Sequence, residues 1–123
     1  ARDRLMLTVL LVDDEIDHLA ILEMLLRIEG YRAICATSGA EALQLAARER
    51  ADLIITDFMM PGMNGLELVE RLRADPRTRD VPIILTSAAP EPRVDAPPYD
   101  RFVQKPAEFD ELLRIVRELT RST

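Results

Sequence analysis

Residues 7–15, Leu7-Thr8-Val9-Leu10-Leu11-Val12-Asp13-Asp14-Glu15, hold the key to the fold. Six residues run without regular polar alternation and then break into three carboxylates. A strand with one wet face would alternate; an unbroken apolar run of this length reads as a strand covered on both faces. The same grammar repeats along the chain. Ile16 to Glu29 has apolar residues at Ile16, Leu19, Ala20, Leu22 and Leu26, a helical period, with Gly30 as a C-cap. Tyr31 to Ala36 reads as a second strand. Ser38-Gly39-Ala40-Glu41 has the form of a capping box opening a helix to about Arg48.

Ala51 to Thr56 is a third apolar strand, and Asn64-Gly65-Leu66-Glu67 caps a helix through Leu66, Val69 and Leu72 that stops before Pro76. Val81 to Thr86 reads as a fourth strand and Arg101-Phe102-Val103 as a short fifth. Phe109, Leu112, Leu113, Val116 and Leu119 stripe a last helix opened near Pro106. Strands alternating with helices require right-handed crossovers. The expected fold is therefore a doubly wound α/β domain with a five-stranded parallel sheet. One connection breaks the rhythm. Residues 88–100 hold four of the chain's eight prolines, so the helix due there should be shortened or replaced by a proline-rich loop.

Bulk properties narrow the class. At 123 residues the chain makes one domain over 1–123, with 1–6 as a lead-in and 88–100 as an atypical connection. A net charge of −6 argues against nonspecific nucleic-acid binding, which needs a basic face. A single cysteine, Cys35, rules out an internal disulfide, reads as inert buried core, and fits a reducing cytoplasmic setting. The apolar run from Leu5 to Val12 is too short for a membrane span and lacks a cleavage site, so neither membrane insertion nor a signal peptide is expected.

Functional groups in open parallel sheets gather outside the carboxyl ends of the strands. Those ends carry Asp13 and Asp14, then Asp57, then Ser87, then Lys105. Each has an ordinary reading: a lone aspartate is a turn or cap residue, an Asp-Asp pair favours a helix start, and a serine after a strand is a turn hydroxyl. Their occurrence at successive strand ends of one sheet points elsewhere. Converging carboxylates repel and call for a cation, and an all-oxygen set that leaves room for water suits Mg²⁺, with Mn²⁺ also admissible. Lys105 and Ser87 would supply donors to an anion. Metal, donors and a free carboxylate make a phosphoryl-transfer site with a carboxylate nucleophile.

"LLVDDE", "DFMMPGMNG", "PIILTSA" and "KP", in that order, resemble the receiver domain of bacterial two-component response regulators over essentially the whole chain. The resemblance implies that Asp57 accepts a phosphoryl group from a histidine kinase or histidine phosphotransfer protein. It implies that Asp13, Asp14, Asp57 and the Met59 backbone carbonyl serve a Mg²⁺ ion, and that Lys105 pairs with the phosphoryl oxygens. Ser87 and Phe102 would be the switch pair controlling an output partner or domain, and Lys105-Pro106 a cis bond. Met59 and Ala89 would flank the phosphoryl group and tune its hydrolysis; neither can orient water, so a long-lived aspartyl phosphate is expected. The domain would not be a conventional enzyme, although it assists its own phosphotransfer and slow self-dephosphorylation.

The resemblance also has departures. Position 102 carries Phe where Tyr is common, and the interval from Ser87 to Lys105 is about one helical turn (~3.6 residues) short. A pseudo-receiver, a protein-interaction module that never uses phosphate, is the alternative. A dehalogenase-like phosphatase needs Asp-x-Asp after its first strand, where Glu15 stands instead, and no GxxxxGK[ST] loop supports nucleotide binding. His18 reads as a surface residue near a kinase-facing first helix; Met59, Met60 and Met63 read as local packing.

Overall fold

The computed structural model describes residues 6–121, so all but the last residue of the expected lead-in lies outside the described residues. In chain order the elements are β1 (Thr8–Val12), α1 (Ile16–Ile28), β2 (Arg32–Ala36), α2 (Gly39–Arg48), β3 (Leu53–Asp57), α3 (Gly65–Ala74), β4 (Ile83–Ser87), β5 (Arg101–Gln104) and α4 (Phe109–Thr120). The strands form one parallel sheet in the order β2-β1-β3-β4-β5. Neighbours β1 and β3 flank the point where the winding reverses, which is where such sheets open a crevice.

Both faces are covered. Leu10, Val12, Ile54, Ile83 and Leu85 face α2 and α3, whose Ala42, Leu68, Val69 and Leu72 complete one core cluster. Val9, Leu11, Leu53, Ile55 and Ile84 face α1 and α4, where they meet Leu19, Leu26, Leu113, Ile115 and Val116. Each fully buried Leu or Ile contributes roughly 1.5–3 kcal/mol. That double coverage is why β1, β3 and β4 are buried at every position and carry no polar alternation.

The boundaries differ from the expected ones in instructive places. β3 and β4 each end one residue later than their apolar runs, because Phe58 N–H still donates to Thr86 and Lys105 N–H to Ser87. Asp57 and Ser87 are thus the last ladder residues, not residues beyond it. Tyr31 is not in β2: with Gly30 at φ 96°, its N–H turns back to Leu26 and closes α1. On α1, Ile16 and Ala20 are exposed, since they lie about 80° and 120° around the helix from Leu26. The cap at Ser38 is half a box. Ser38 accepts from Glu41 N–H, but the Glu41 carboxylate takes Thr37 instead. At Asn64 the box is complete in both directions at 2.9 Å. Helix α4 starts at Phe109, three residues past the cis Lys105-Pro106 bond, with Glu108 as its extended cap. Cys35 is half-buried; burial and the nearby Glu23 push its thiol up to about 11.

Residues 88–100 contain no helix or strand, as the prolines dictate. Side chains hold the segment in place. Tyr99 is buried against the α2/α3 core, where a helix would otherwise pack, and its hydroxyl donates to Glu91 at 2.6 Å. Burial and that bond push the phenol up to about 12. Arg73 of α3 clamps the far end. Its guanidinium donates to the carbonyls of Pro98, Arg79 and Val81 and to the Asp100 carboxylate at 2.6–2.9 Å. Asp100 in turn accepts Ile83 N–H at 2.8 Å, so one arginine ties α3, β4 and the segment together. Replacing it strands three carbonyls and a carboxylate. Arg73→Ala should lower stability by roughly 2 kcal/mol, read as a reduced denaturant midpoint with an unchanged slope.

Candidate functional site

Three backbone devices aim the acidic groups. Asp13 follows β1 directly, its N–H held by the Ala36 carbonyl and its Oδ1 accepting Glu15 N–H at 3.0 Å. One oxygen is therefore spent on the turn into α1, which leaves Oδ2 for the crevice. Asp14 is exposed beside it. Asp57 ends β3 opposite Thr86 and is only 7% exposed. After it the chain must turn tightly into α3. Gly62 sits at φ 73°, and Gly65 N–H donates to the Phe58 carbonyl at 2.8 Å. A Cβ on Gly65 would fall onto the Asp57 carbonyl oxygen, so only glycine lets α3 start this close to the site.

Asp13, Asp14 and Asp57 each offer an oxygen, all within 4.8 Å of one another. Lys105 reaches in from beyond β5, its Nζ 3.2 Å from Asp57 Oδ1 and 3.6 Å from Asp13 Oδ2. Burial raises the Asp57 carboxyl above its ordinary 3.8, and Asp13 and Asp14 raise it further. Lys105 pulls it back without cancelling the rise. One ammonium facing three carboxylates leaves a negative excess. The oxygen-only set, partly open to water, fits a hard divalent cation. The Met59 carbonyl accepts no hydrogen bond among the described residues, which leaves it free to join such a set.

The remaining expected residues lie nearby in differing degrees. Ser87 is fully buried, and its Oγ accepts Ala89 N–H at 3.0 Å. Phe102 stands on the α2/α3 face opposite Leu85, half-buried, its ring 6.5 Å from that of Tyr99. The Met59 side chain is 60% exposed, whereas Met60 is buried and Met63 packs against Gly39. His18 is on the surface, and it also borders the site, with Nδ1 2.8 Å from Glu15 and 3.7 Å from Asp13. A cavity of about 400 Å³ opens beside these groups between α1 and α4, lined by Leu22, Leu25, Phe109, Leu112 and the Lys105 stem. Periodicity marks Leu22, Phe109 and Leu112 as core but does not reveal the gap between them.

With this geometry in place, the family is clear. The sequence matches the response regulator receiver domain over residues 9–117, and the chain belongs to that family. It is 37% identical to the response regulator PleD of Caulobacter vibrioides over 118 residues, covering 92% of this chain and 26% of that protein. It spans about a quarter to a half of the length of the curated relatives it matches. Chemotaxis protein CheY4 of Vibrio cholerae superposes with a TM-score of 0.87 at 30% identity, covering 93% of this chain and 98% of that one. Response regulator TrrA of Thermotoga maritima, solved in complex with Mg(2+)-BeF, gives 0.84 at 37% identity, covering 93% and 99%.

Two consequences can be measured. Gly65→Ala should cost about 3 kcal/mol by forcing α3 off the Asp57 carbonyl, against a much smaller loss for an exposed helix-surface substitution. The raised Asp57 carboxyl means that folding disfavours its charged form. Its contribution falls as pH rises from the unfolded carboxyl range through the folded one, and at pH 7 the ionised group is a net cost. Without divalent ions, Asp57→Asn should therefore melt a few degrees higher than the parent at pH 7. Added Mg²⁺ should raise the parent's melting temperature more than the variant's and narrow that gap.

Proposed function

We propose that this chain is a phosphoacceptor signalling domain in which Asp57 takes a phosphoryl group from the phosphohistidine of a histidine kinase or histidine phosphotransfer protein. The observation that carries this reading is the set of three carboxylates within 4.8 Å of one another, with Lys105 3.2 Å from the most buried of them. In the reaction an Asp57 oxygen attacks phosphorus, the bond from phosphorus to the histidine nitrogen breaks, and the imidazole keeps the electron pair. Asp13, Asp14, Asp57 and the Met59 carbonyl would hold Mg²⁺, or Mn²⁺ in its place. The bound ion supplies neutralising charge for the phosphoryl oxygens. The chain's own residues do the rest. Asp57 is the nucleophile, Asp13 is oriented by its bond to Glu15 N–H, and Lys105 pairs with the incoming oxygens. That TrrA, 37% identical, is solved in complex with Mg(2+)-BeF supports Mg²⁺ as the ion.

Phosphorylation adds roughly −1.5 to −2 charges. The Ser87 hydroxyl would leave Ala89 for a phosphoryl oxygen, and the Phe102 ring would turn into the space behind it, a two-state element biased by local charge. The exposed apolar side chains of α1 begin at Ile16 beside the site and continue along the helix through Ile21, Met24 and Ile28, and they give the phosphodonor a surface. No helix among the described residues is long and apolar enough to cross a membrane, and a cytoplasmic setting accords with a kinase donor. The domain is not a conventional enzyme: it assists its own transfer and slow self-dephosphorylation. Met59 and Ala89 offer no group to orient water, so the acyl phosphate should persist.

The second reading, a phosphorylation-independent interaction module, draws on the missing helix between β4 and β5. Acetyl phosphate with Mg²⁺ and intact mass decide between the two. A phosphoryl increment that Asp57→Ala abolishes is the expected result; its absence leaves the interaction module standing. Once loaded, the parent should lose the phosphoryl group more slowly than the Met59→Asn, Ala89→Glu double variant. Equal decay would remove the persistence argument.

A further inference from the structure

The cavity between α1 and α4 runs up to the carboxylate site, where Asp13 and Lys105 belong to its lining. Its floor is Leu11, Ile55 and Val103, and its volume of about 400 Å³ is within the range of sites that hold small organic molecules. Thr86 stands two residues after the buried Ile84, so strand alternation turns its side chain into the same face and onto the cavity. The residue is only 9% exposed. Its hydroxyl reaches the Thr56 carbonyl at 3.4 Å, longer than the roughly 2.5–3.0 Å of an ordinary O–H···O bond. Among the described residues, no group donates to its oxygen. At the mouth, the largely buried Asp13 has the same shortage at Oδ2. Lys105 Nζ stands 3.6 Å away and His18 Nδ1 3.7 Å, both beyond hydrogen-bond reach. An apolar chamber thus ends in two buried oxygens without a donor, beside an excess of negative charge.

We infer that this cavity binds a small amphiphilic amine, an apolar body carrying one ammonium group, and that such a ligand competes with the divalent ion. The body belongs in the chamber because its walls of Leu22, Leu25 and Leu112 reward apolar surface taken from water. Phe109 in the same lining favours an aromatic body, which it can meet edge to face. The head is decided by the two oxygens. An ammonium has three donors and no acceptor, which matches groups that need donors and offer none. A carboxylate head meets Asp13, Asp14 and Asp57 with the same sign, and the single Lys105 ammonium does not offset three of them. A hydroxyl head donates to one of the two oxygens and leaves the charge unanswered. The competition follows from Asp13. Its Oδ1 is held by Glu15 N–H, so Oδ2 serves either the ammonium or the ion. This second part rests on the metal site proposed above; the first does not.

The test uses the full chain without divalent ions and three probes that share one body: phenylbutylamine, phenylbutanol and phenylbutanoate. Calorimetry gives the affinities, and NMR amide shifts locate the probe. The amine should bind about tenfold more tightly than the alcohol, with the carboxylate weakest, and should shift the amides of Leu11, Thr86 and Leu112. Thr86→Val should weaken the amine about fivefold yet melt no lower than the parent, because the hydroxyl it removes makes no ordinary bond. Leu25→Trp fills the chamber from its α1 wall and should abolish binding of all three probes, with a melting curve to show that it folds. Saturating Mg²⁺ should weaken the amine about tenfold. No amine binding, an alcohol that binds as tightly, or binding retained in folded Leu25→Trp overturns the site. Unchanged amine affinity in Thr86→Val overturns the placement of the head. Amine affinity unmoved by Mg²⁺ overturns the competition and leaves the site standing. Acetyl phosphate labelling of Asp57, read by intact mass on the same preparation, judges the phosphoacceptor reading separately, so either can fail alone.

Discussion

Strands β1 and β3 run side by side in the same direction, with Val12 opposite Thr56, so the residues that follow, Asp13 and Asp57, emerge together at one edge of the sheet. Parallel register leaves them no other place to go. With Asp14 they put three negative charges within 4.8 Å, and burial denies Asp57 the water that would spread its charge. Lys105 relieves part of this from two strands away, at the end of a stem long enough to cross β4. The unrelieved part is what suits the crevice to a hard cation. The glycine at position 65 and the capping box at Asn64 exist around this point, turning the chain sharply away so that nothing crowds the carboxylate.

The two faces of the sheet are built differently. On the α1/α4 face, helices cover the strands and leave a cavity that opens beside Lys105 and Asp13. On the other, α2 and α3 cover only part of the surface, and Tyr99 fills the remainder from a segment without regular structure. Burying one aromatic ring replaces the apolar stripe of a helix, but it leaves backbone groups unsatisfied by any ladder. Arg73 answers that shortage with its several donors, which is why a charged side chain on a surface helix is mostly covered. Regular structure and side-chain fastening thus reach similar coverage by separate routes.

Much of the fold was legible in the chain. Apolar runs marked β1, β3 and β4, helical periods marked α1, α3 and α4, a capping sequence marked α2, and four prolines marked the place where a helix fails. The errors share a cause. Asp57 and Ser87 read as residues beyond their strands because polarity suggests a strand end, whereas the ladder follows backbone donors and continues through them. Ile16 and Ala20 looked buried because a stripe can be drawn through them, yet the face of α1 that meets the sheet is centred on Leu19, Leu22 and Leu26. Ser38 and Glu41 have the spacing of a capping box, but Thr37 offered a hydroxyl as well as an amide and won the carboxylate.

By itself the sequence determined which elements form and which chemical groups stand at the strand ends, because period, capping and proline act within a few residues. It also determined that those groups are carboxylates, a hydroxyl and one ammonium, the ingredients of a cation site with an anion partner. Only the tertiary structure decided how they meet. That Lys105 lies 3.2 Å from Asp57 depends on the order of three strands. That Ser87 holds Ala89, and that Arg73 reaches residues 25 and 27 positions away, depends on where a segment without secondary structure comes to rest. No local rule sets such distances, since they follow from packing between parts of the chain that meet only once the sheet has formed.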